Sequence, residues 1–316
     1  MFSTPILFLI FNRVDVTQKV FDQIKKVRPK YLYVAADGPR KQKDTDIIKC
    51  EETRRIIDQV DWDCEVQTLF RTQNMGCGPA VATAISWFFE QVESGIVLED
   101  DCFPNTTFFP YCEELLEKYK DAEQIKFIGG NNFQNGQKRG EASYYLSRYP
   151  TSWGWASWRR SWQAFNPDIS DCREVIESGQ IDNIFNTTKE KKHWINSLVK
   201  ASNERNSVWD FYFYFAIWKR DGLCITPNKN LVINLGFFDQ GTHYFLKDST
   251  KTNVKAEEMD LPMVHPDSLQ VNRQADRYTF DHFYSHSPQR AFRLIRENGI
   301  GSILRYFYIR FIKEND

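Results

Sequence analysis

The sequence predicts an α/β fold with a doubly wound, mainly parallel central sheet, and three observations carry that expectation. Apolar runs alternate with helical patterns through the first hundred residues. One run, Ile96-Val97-Leu98, stops abruptly in three carboxylates, Glu99-Asp100-Asp101, as a strand buried on both faces does at the open end of a sheet. Pro79 directly follows Gly76-Cys77-Gly78, the arrangement of a glycine loop opening into a helix.

Each element follows in order. Pro5 to Phe11 is apolar throughout and reads as the first strand, Val16 to Val27 as a helix, Tyr31 to Ala36 as a strand, and Lys43 to Val60 as a polar helix. A strand from Glu65 to Phe70, a helix from Pro79 to Val92 and the Ile96 strand complete the wound unit. The same sheet is extended by a helix from Thr107 to Tyr119, a strand from Ile125 to Gly129, and a polar loop from Asn131 to Gly140. Tyr144 to Phe165, rich in Trp, Tyr and Arg around Trp153-Gly154-Trp155, suggests a lining or lid that packs sugar faces, or a core with snorkelling arginines. Lys189 to Lys200 is basic, Val208 to Lys219 helical, and Cys224 to Pro227 strand-like. Tyr244 to Pro266 is polar and reads as loop, with a tendency to disorder. Gln289 to Lys313 forms a basic amphipathic helix pair broken at Gly299 and Gly301.

Composition bounds the function. A chain of 316 residues can bury a sizeable core, and 41% hydrophobic with 26% charged residues is ordinary for a soluble globular protein. Aromatic content is high, 15% with nine Trp. A net charge of -1 gives no global attraction to nucleic acid or membrane, so any electrostatic function is local. The seven cysteines are odd in number and contain no CxxC, which argues against a disulfide framework or a structural zinc and suits a reducing, cytoplasmic setting. The first residues show neither a basic leader nor a cleavage site, and their apolar run is too short to span a bilayer.

The acidic triplet is the strongest chemical signal. Three adjacent carboxylates repel one another, and a hard divalent ion or a ligand's hydroxyls relieve the repulsion. Polar groups at other element ends can converge with it. Arg13, with Asn12 after strand one, suits a base edge or a phosphate, or is a surface arginine. Asp37, in Asp37-Gly38-Pro39, suits a ribose or a base N–H, or is an ordinary turn acid. The glycine loop before Pro79 has backbone N–H groups for a phosphate but lacks the lysine of a Walker loop. Asp210, behind Trp209, is either chemically active or a helix cap. His243 is a metal or phosphate ligand, or structural. Asp61-Trp62-Asp63 precedes a strand instead of ending one and is set aside.

In order along the chain, "FNRVDVTQKVFDQIKKVRPKYLYVAADGPR", "GIVLEDDCFPNTTFFPYCEELLEKY", "SWGWASWRRSW", "VWDFYFYFAIW" and "GLCITPNKNLVINLGF" resemble GT-A-fold glycosyltransferases. The likeness is to the N-acetylglucosaminyltransferase I type and to bacterial nucleotide-diphospho-sugar transferases named hemolytic-protein-like, and it runs from Pro5 to His243. It implies a catalytic domain over 1–245, divided into a nucleotide-sugar half (1–103) and an acceptor half (104–245), and a loop and helical extension over 246–316. It implies that Arg13 and Asp37 hold the base, that Glu99, Asp100 and Trp209 contact the donor sugar or ribose, and that Asp101 binds Mn²⁺ or Mg²⁺, with His243 a further candidate ligand. It makes Asp210 the catalytic base. A histidine of the eukaryotic enzymes has no counterpart after Gly78, where Ala and Ser stand instead.

The implied reaction is inverting transfer from a UDP-sugar to a hydroxyl of a glycan or lipid-linked acceptor in surface polysaccharide synthesis. The basic C-terminus would hold the enzyme against the anionic inner leaflet, or pack on the catalytic domain. Two other classes fit the same residues: a catalytically silent nucleotide-sugar or carbohydrate-binding protein, and a metal-dependent nucleotidyltransferase or phosphohydrolase.

Overall fold

The computed structural model describes residues 2–203, 209–237 and 255–285, with positions 295, 296, 299 and 301. His243 and nearly all of the basic 289–313 pattern therefore lie outside the described residues.

The first hundred residues form the expected alternation: β1 (Ile6–Ile10), α1 (Val14–Val27), β2 (Tyr31–Ala36), α2 (Asp44–Arg54), β3 (Glu65–Phe70), α3 (Cys77–Gln91) and β4 (Ser94–Glu99). There follow β5 (Cys102–Pro104), α4 (Phe108–Lys118), β6 (Ile125–Gly129), β7 (Tyr144–Ser147), β8 (Trp155–Trp158), α5 (Arg159–Trp162), α6 (Cys172–Glu177) and α7 (Thr188–Asn203). The described chain continues through α8 (Asp210–Trp218), β9 (Leu223–Pro227), β10 (Val232–Asn234) and α9 (Arg273–Thr279). The polar helix ends in a 3₁₀ segment, Arg55–Gln59, instead of running as one α-helix to Val60.

Eight strands form one sheet in the order β3-β2-β1-β4-β8-β6-β9-β7. The pairs β1–β2, β2–β3, β1–β4 and β6–β9 are parallel, and β8 runs antiparallel between β4 and β6. The sheet is thus mixed α/β and mainly parallel. The order reverses at β1, flanked by β2 and β4, so the crevice beyond their carboxyl ends is the switch point where ligands of such sheets bind.

Both faces are covered, and the period of two in β1 shows it. Ile6, Phe8 and Ile10 face a core shared with Val20, Phe21 and Ile24 of α1, whereas Leu7 and Leu9 face one shared with Ala84, Ile85 and Phe88 of α3. β3 is different, with most of its residues exposed, and its polar residues suit the sheet edge it occupies.

Two sequence expectations change here. The Trp-rich segment is not a lid: Trp155 is 1% exposed and its ring stacks against Phe127 at 5.1 Å and Trp209 at 5.7 Å, in the core shared with α8. An aromatic run reads alike as lining or filling; the strand register, which sets Trp155 opposite Val97 of β4, makes it filling. The described part of the polar loop is tied down as well. Met259 and Met263 are buried, Met259 N donates to Thr107 Oγ1 at 2.9 Å, and Glu257 N donates to the Asn230 carbonyl at 2.7 Å.

Candidate functional site

A cleft of about 360 Å³ opens over the carboxyl ends of β1, β2 and β4. That is within the usual size of small-ligand sites. Arg13, Asp37, Glu99, Asp100 and Asp101 all line it, so five of the sequence-chosen residues share one cavity.

Strand register explains the meeting. Leu9 pairs with Glu99, so the residues that leave β1 and β4 emerge side by side. Arg13 Nε donates to Asp100 Oδ2 at 3.1 Å, and Nη2 donates to Asp101 Oδ2 at 3.1 Å and closely to Asp100 Oδ1. This fork on Asp100 is the geometry in which arginine binds carboxylates best. Burial works against the guanidinium's charge, but Asp100 and Asp101 overcome it and hold Arg13 more firmly protonated than usual. Arg13 is therefore committed to the acids, and its side chain is not open toward a base. Asn12 is committed too, donating to Asp46 Oδ1 at 2.9 Å, where Arg40 also binds.

One guanidinium does not balance three carboxylates. The Glu99 carboxylate has no hydrogen-bond partner among the described residues, and burial, with the charges of Asp101, Asp100 and Asp210, pushes it up to about 8. Burial also raises Asp100 against the pull of Arg13. The donors are hard oxygens, the set that Mg²⁺ and Mn²⁺ prefer, and the deficit of positive charge is what such an ion removes. Glu99 and Asp101 fit a divalent cation on these grounds. Among the described residues no three His, Cys, Asp or Glu side chains are already gathered as a ligand cage.

Asp37 lines the cleft but is occupied. Its carboxylate accepts from the N–H of Gly38, Met75 and Gly76 at 2.9 to 3.1 Å and from Asn74 Nδ2 at 2.9 Å. The residue thus builds the loop before α3, and it takes the N–H of Gly76, one of the glycine-loop donors that suit a phosphate. Gly38 is needed for this closure, since a Cβ there would lie 2.4 Å from the Gln73 backbone.

Asp210 begins α8 and is half-buried. Its Oδ1 accepts from the N–H of Phe211 at 3.0 Å. Burial raises its carboxyl to about 6, even though hydrogen bonds from Phe211, Tyr214 and Ser152 pull the other way. Its charge acts on Glu99 and Cys77, two residues of the cleft, although Asp210 is not itself among the residues that line it. Trp209 is turned elsewhere: it is buried and stacks on Trp155 instead of lining the cleft. The Asp61-Trp62-Asp63 acids are surface groups, with Asp61 paired to Lys25 at 2.8 Å.

Three of the lining residues that escaped the sequence reading bear on the acids or on a ligand. Asn234 and Gly236 arrive because β10 pairs antiparallel with β5, setting Asn234 opposite Cys102 and letting Leu235 N donate to the Asp101 carbonyl at 2.7 Å. A Cβ on Gly236 would lie 2.6 Å from Asp101 Oδ2, so the close approach requires glycine. Arg71, just past β3, is the third. A short hydrophobic stretch ending in Asn-Leu-Gly was the available signal for the first two; Arg71 had none.

No protein-family model matches the chain, and no curated protein matches it. Solved structures of similar fold include HddC from Yersinia pseudotuberculosis (10% identity, TM-score 0.31, covering 52% of this chain and 80% of that one). Apo UDP-glucose pyrophosphorylase is another (9%, 0.35, covering 72% and 93%). A third is 4-diphosphocytidyl-2C-methyl-D-erythritol synthase from Anaerococcus prevotii (11%, 0.28, covering 62% and 84%). Likenesses this faint carry no argument about activity, and the finer resemblance to the N-acetylglucosaminyltransferase I type gains nothing from them. What stands is a Rossmann-like α/β chain with an acid-rich cleft at the switch point of its sheet.

Proposed function

We propose that this chain is a metal-dependent glycosyltransferase that moves a sugar from a UDP-sugar to an acceptor hydroxyl with inversion. The observation that supports it is the company of two kinds of acid: a charge-deficient triplet at the end of β4 that lines the cleft, and a separate carboxyl, Asp210, outside that lining but close enough for its charge to act on Glu99, and raised to about 6 by burial. A divalent ion held at Asp101 and Glu99 would supply charge neutralisation to the diphosphate leaving group. Arg13 holds Asp100 and Asp101 in place. Asp210 takes the proton of the acceptor hydroxyl as its oxygen bonds to the anomeric carbon and the bond to the diphosphate breaks. A base with a pKa near 6 is ionised at neutral pH yet strong enough to accept that proton. The acceptor class, a glycan or lipid-linked glycan, rests on the basic pattern of Gln289 to Lys313. Among the described residues no helix is long and apolar enough to cross a membrane.

Nucleotidyl transfer is the second reading, because acids at a strand end and a divalent ion serve it equally. The cleft favours the first. Among its described lining residues there is no lysine, and two of its three arginines, Arg13 and Arg40, are already paired with acids, which leaves little cation for a triphosphate. The test is direct: with Mn²⁺, purified protein should slowly hydrolyse a UDP-sugar to UDP and should form no UDP-sugar from UTP and a sugar 1-phosphate. The converse result would establish nucleotidyl transfer, and neither activity would leave a silent binding protein.

A further inference from the structure

Arg71 is the cation of the cleft that no acid holds. Among the described residues it has no carboxylate within ion-pair distance, in contrast to Arg13 and Arg40. It is nevertheless firmly built in. Its N–H donates to the Ala36 carbonyl at 3.0 Å, its own carbonyl accepts from Arg54 at 2.6 Å, and its Nη2 donates to Thr83 Oγ1 of α3 at 2.7 Å. One arm of the fork is anchored, and Nε and Nη1 remain for a ligand.

Its place in the sheet says which part of a ligand it meets. Phe70 pairs with Ala36, Ile10 with Ala36, and Leu9 with Glu99, so Arg71 stands level with the acids but three strands away, about 14 Å at ~4.8 Å per strand. That is the reach of a nucleoside diphosphate laid from its terminal phosphate to its base. Between the two ends α3 presents Ala80, Val81 and Ala84 to the cleft, a small apolar wall for a ribose and a ring face. Beside Arg71 stands Asn74, whose Nδ2 donates to both Asp37 Oδ2 and the Gly38 carbonyl at 2.9 Å. Those two bonds fix the amide, and its Oδ1 is left without a partner among the described residues.

We propose that Arg71 and Asn74 are the base-reading pair of this cleft, Arg71 donating to a ring carbonyl and Asn74 Oδ1 accepting from the adjacent ring N–H, the pattern of uracil. This rests on the donor reading above and adds to it residues outside the resemblance. Cytosine, whose ring nitrogen at that position carries no hydrogen and whose C4 bears an amine in place of the carbonyl that Arg71 reads, sets a lone pair against Asn74 Oδ1 and a donor against Arg71. The pairing also gives Asp37 its task, which is to orient Asn74.

Calorimetric titration with Mn²⁺ present tests it, using UDP, CDP and inorganic pyrophosphate on the wild type, Arg71→Ala and Arg71→Lys. The wild type should bind UDP about tenfold tighter than CDP, the scale of one well-placed base contact. Arg71→Ala should lose about tenfold for UDP and remain within twofold for pyrophosphate, and Arg71→Lys, which keeps the charge, should also lose the preference over CDP. A parallel loss for pyrophosphate would make Arg71 a phosphate ligand and overturn the assignment, as would UDP binding unchanged in Arg71→Ala. If the wild type binds neither UDP nor pyrophosphate, the donor reading itself fails; if it binds both and the variants match it, only the base-reading pair fails.

Discussion

The cleft and the aromatic core beside it are built on adjoining strands, β4 and β8, and they treat their side chains in opposite ways. In the core, Trp155, Trp162, Trp209 and Phe213 touch ring to ring, and the segment's worth is its volume. In the cleft, among the described residues, nearly every charged group is held by a partner, and Glu99 and Arg71, which no opposite charge holds, stand out against the rest. Function in this molecule is legible as incomplete pairing, whereas aromatic abundance marks packing.

The difference is sharpest at Trp155. Replacing it with Ala should cost about 3–5 kcal/mol of stability, the range for deleting a large buried aromatic ring. Among the described residues its Nε1 has no hydrogen-bond partner although it is buried, so Trp155→Phe should cost far less, because it also removes an unmet donor. Denaturant unfolding of the two variants checks this; equal losses would mean the indole is doing polar work the structure does not show. Cleft residues should behave in reverse. Gly236→Ala should leave the unfolding midpoint nearly unchanged and weaken metal-dependent UDP binding about tenfold or more, since the new Cβ displaces Asp101 Oδ2. Undiminished binding would remove Asp101 from the site.

A smaller effect concerns Asp46, which ties the cleft's rim together. Arg40 binds it at 2.5 and 2.9 Å and, with Asn12, holds its carboxyl down at about 2 against an ordinary 3.8. A depressed carboxylate stabilises the fold fully above its unfolded pKa and loses that contribution as pH falls toward the folded value. Because Arg40 is partly solvated, the pair is worth about 1 kcal/mol. Asp46→Asn should therefore be less stable than wild type at pH 7 by that amount, with the gap closing between pH 4 and 2. A gap that persists at pH 2 would assign the loss to shape and not charge.

Much of this was readable in the sequence because it is local. β2 spans its apolar run and β3 its alternating one, and the acids at the end of β4 announce themselves by contrast with the strand before them. What was not readable is non-local. Asn234 and Gly236 reach Asp101 only through the three-residue pairing of β5 with β10. Asp37 looks like an open acceptor until the loop 74–76 folds onto it, and Arg71 looks like any surface arginine until α3 anchors it. Trp209 and Asp210 are neighbours in sequence, yet the start of α8 turns one into the core and leaves the other half-buried, with its charge acting on Glu99.

The central claim is that acids of one cleft divide into a donor-holding group and a proton acceptor. Single-turnover transfer, or donor hydrolysis, in Asp210→Asn measured beside its Mn²⁺-dependent UDP affinity tests it most directly. Turnover should fall about 10²–10⁴-fold with affinity within twofold of wild type, and the wild-type rate should drop tenfold per unit as pH falls below about 6, where Asp210 becomes protonated. Unchanged turnover in Asp210→Asn, or a rate flat through pH 6, would contradict the assignment.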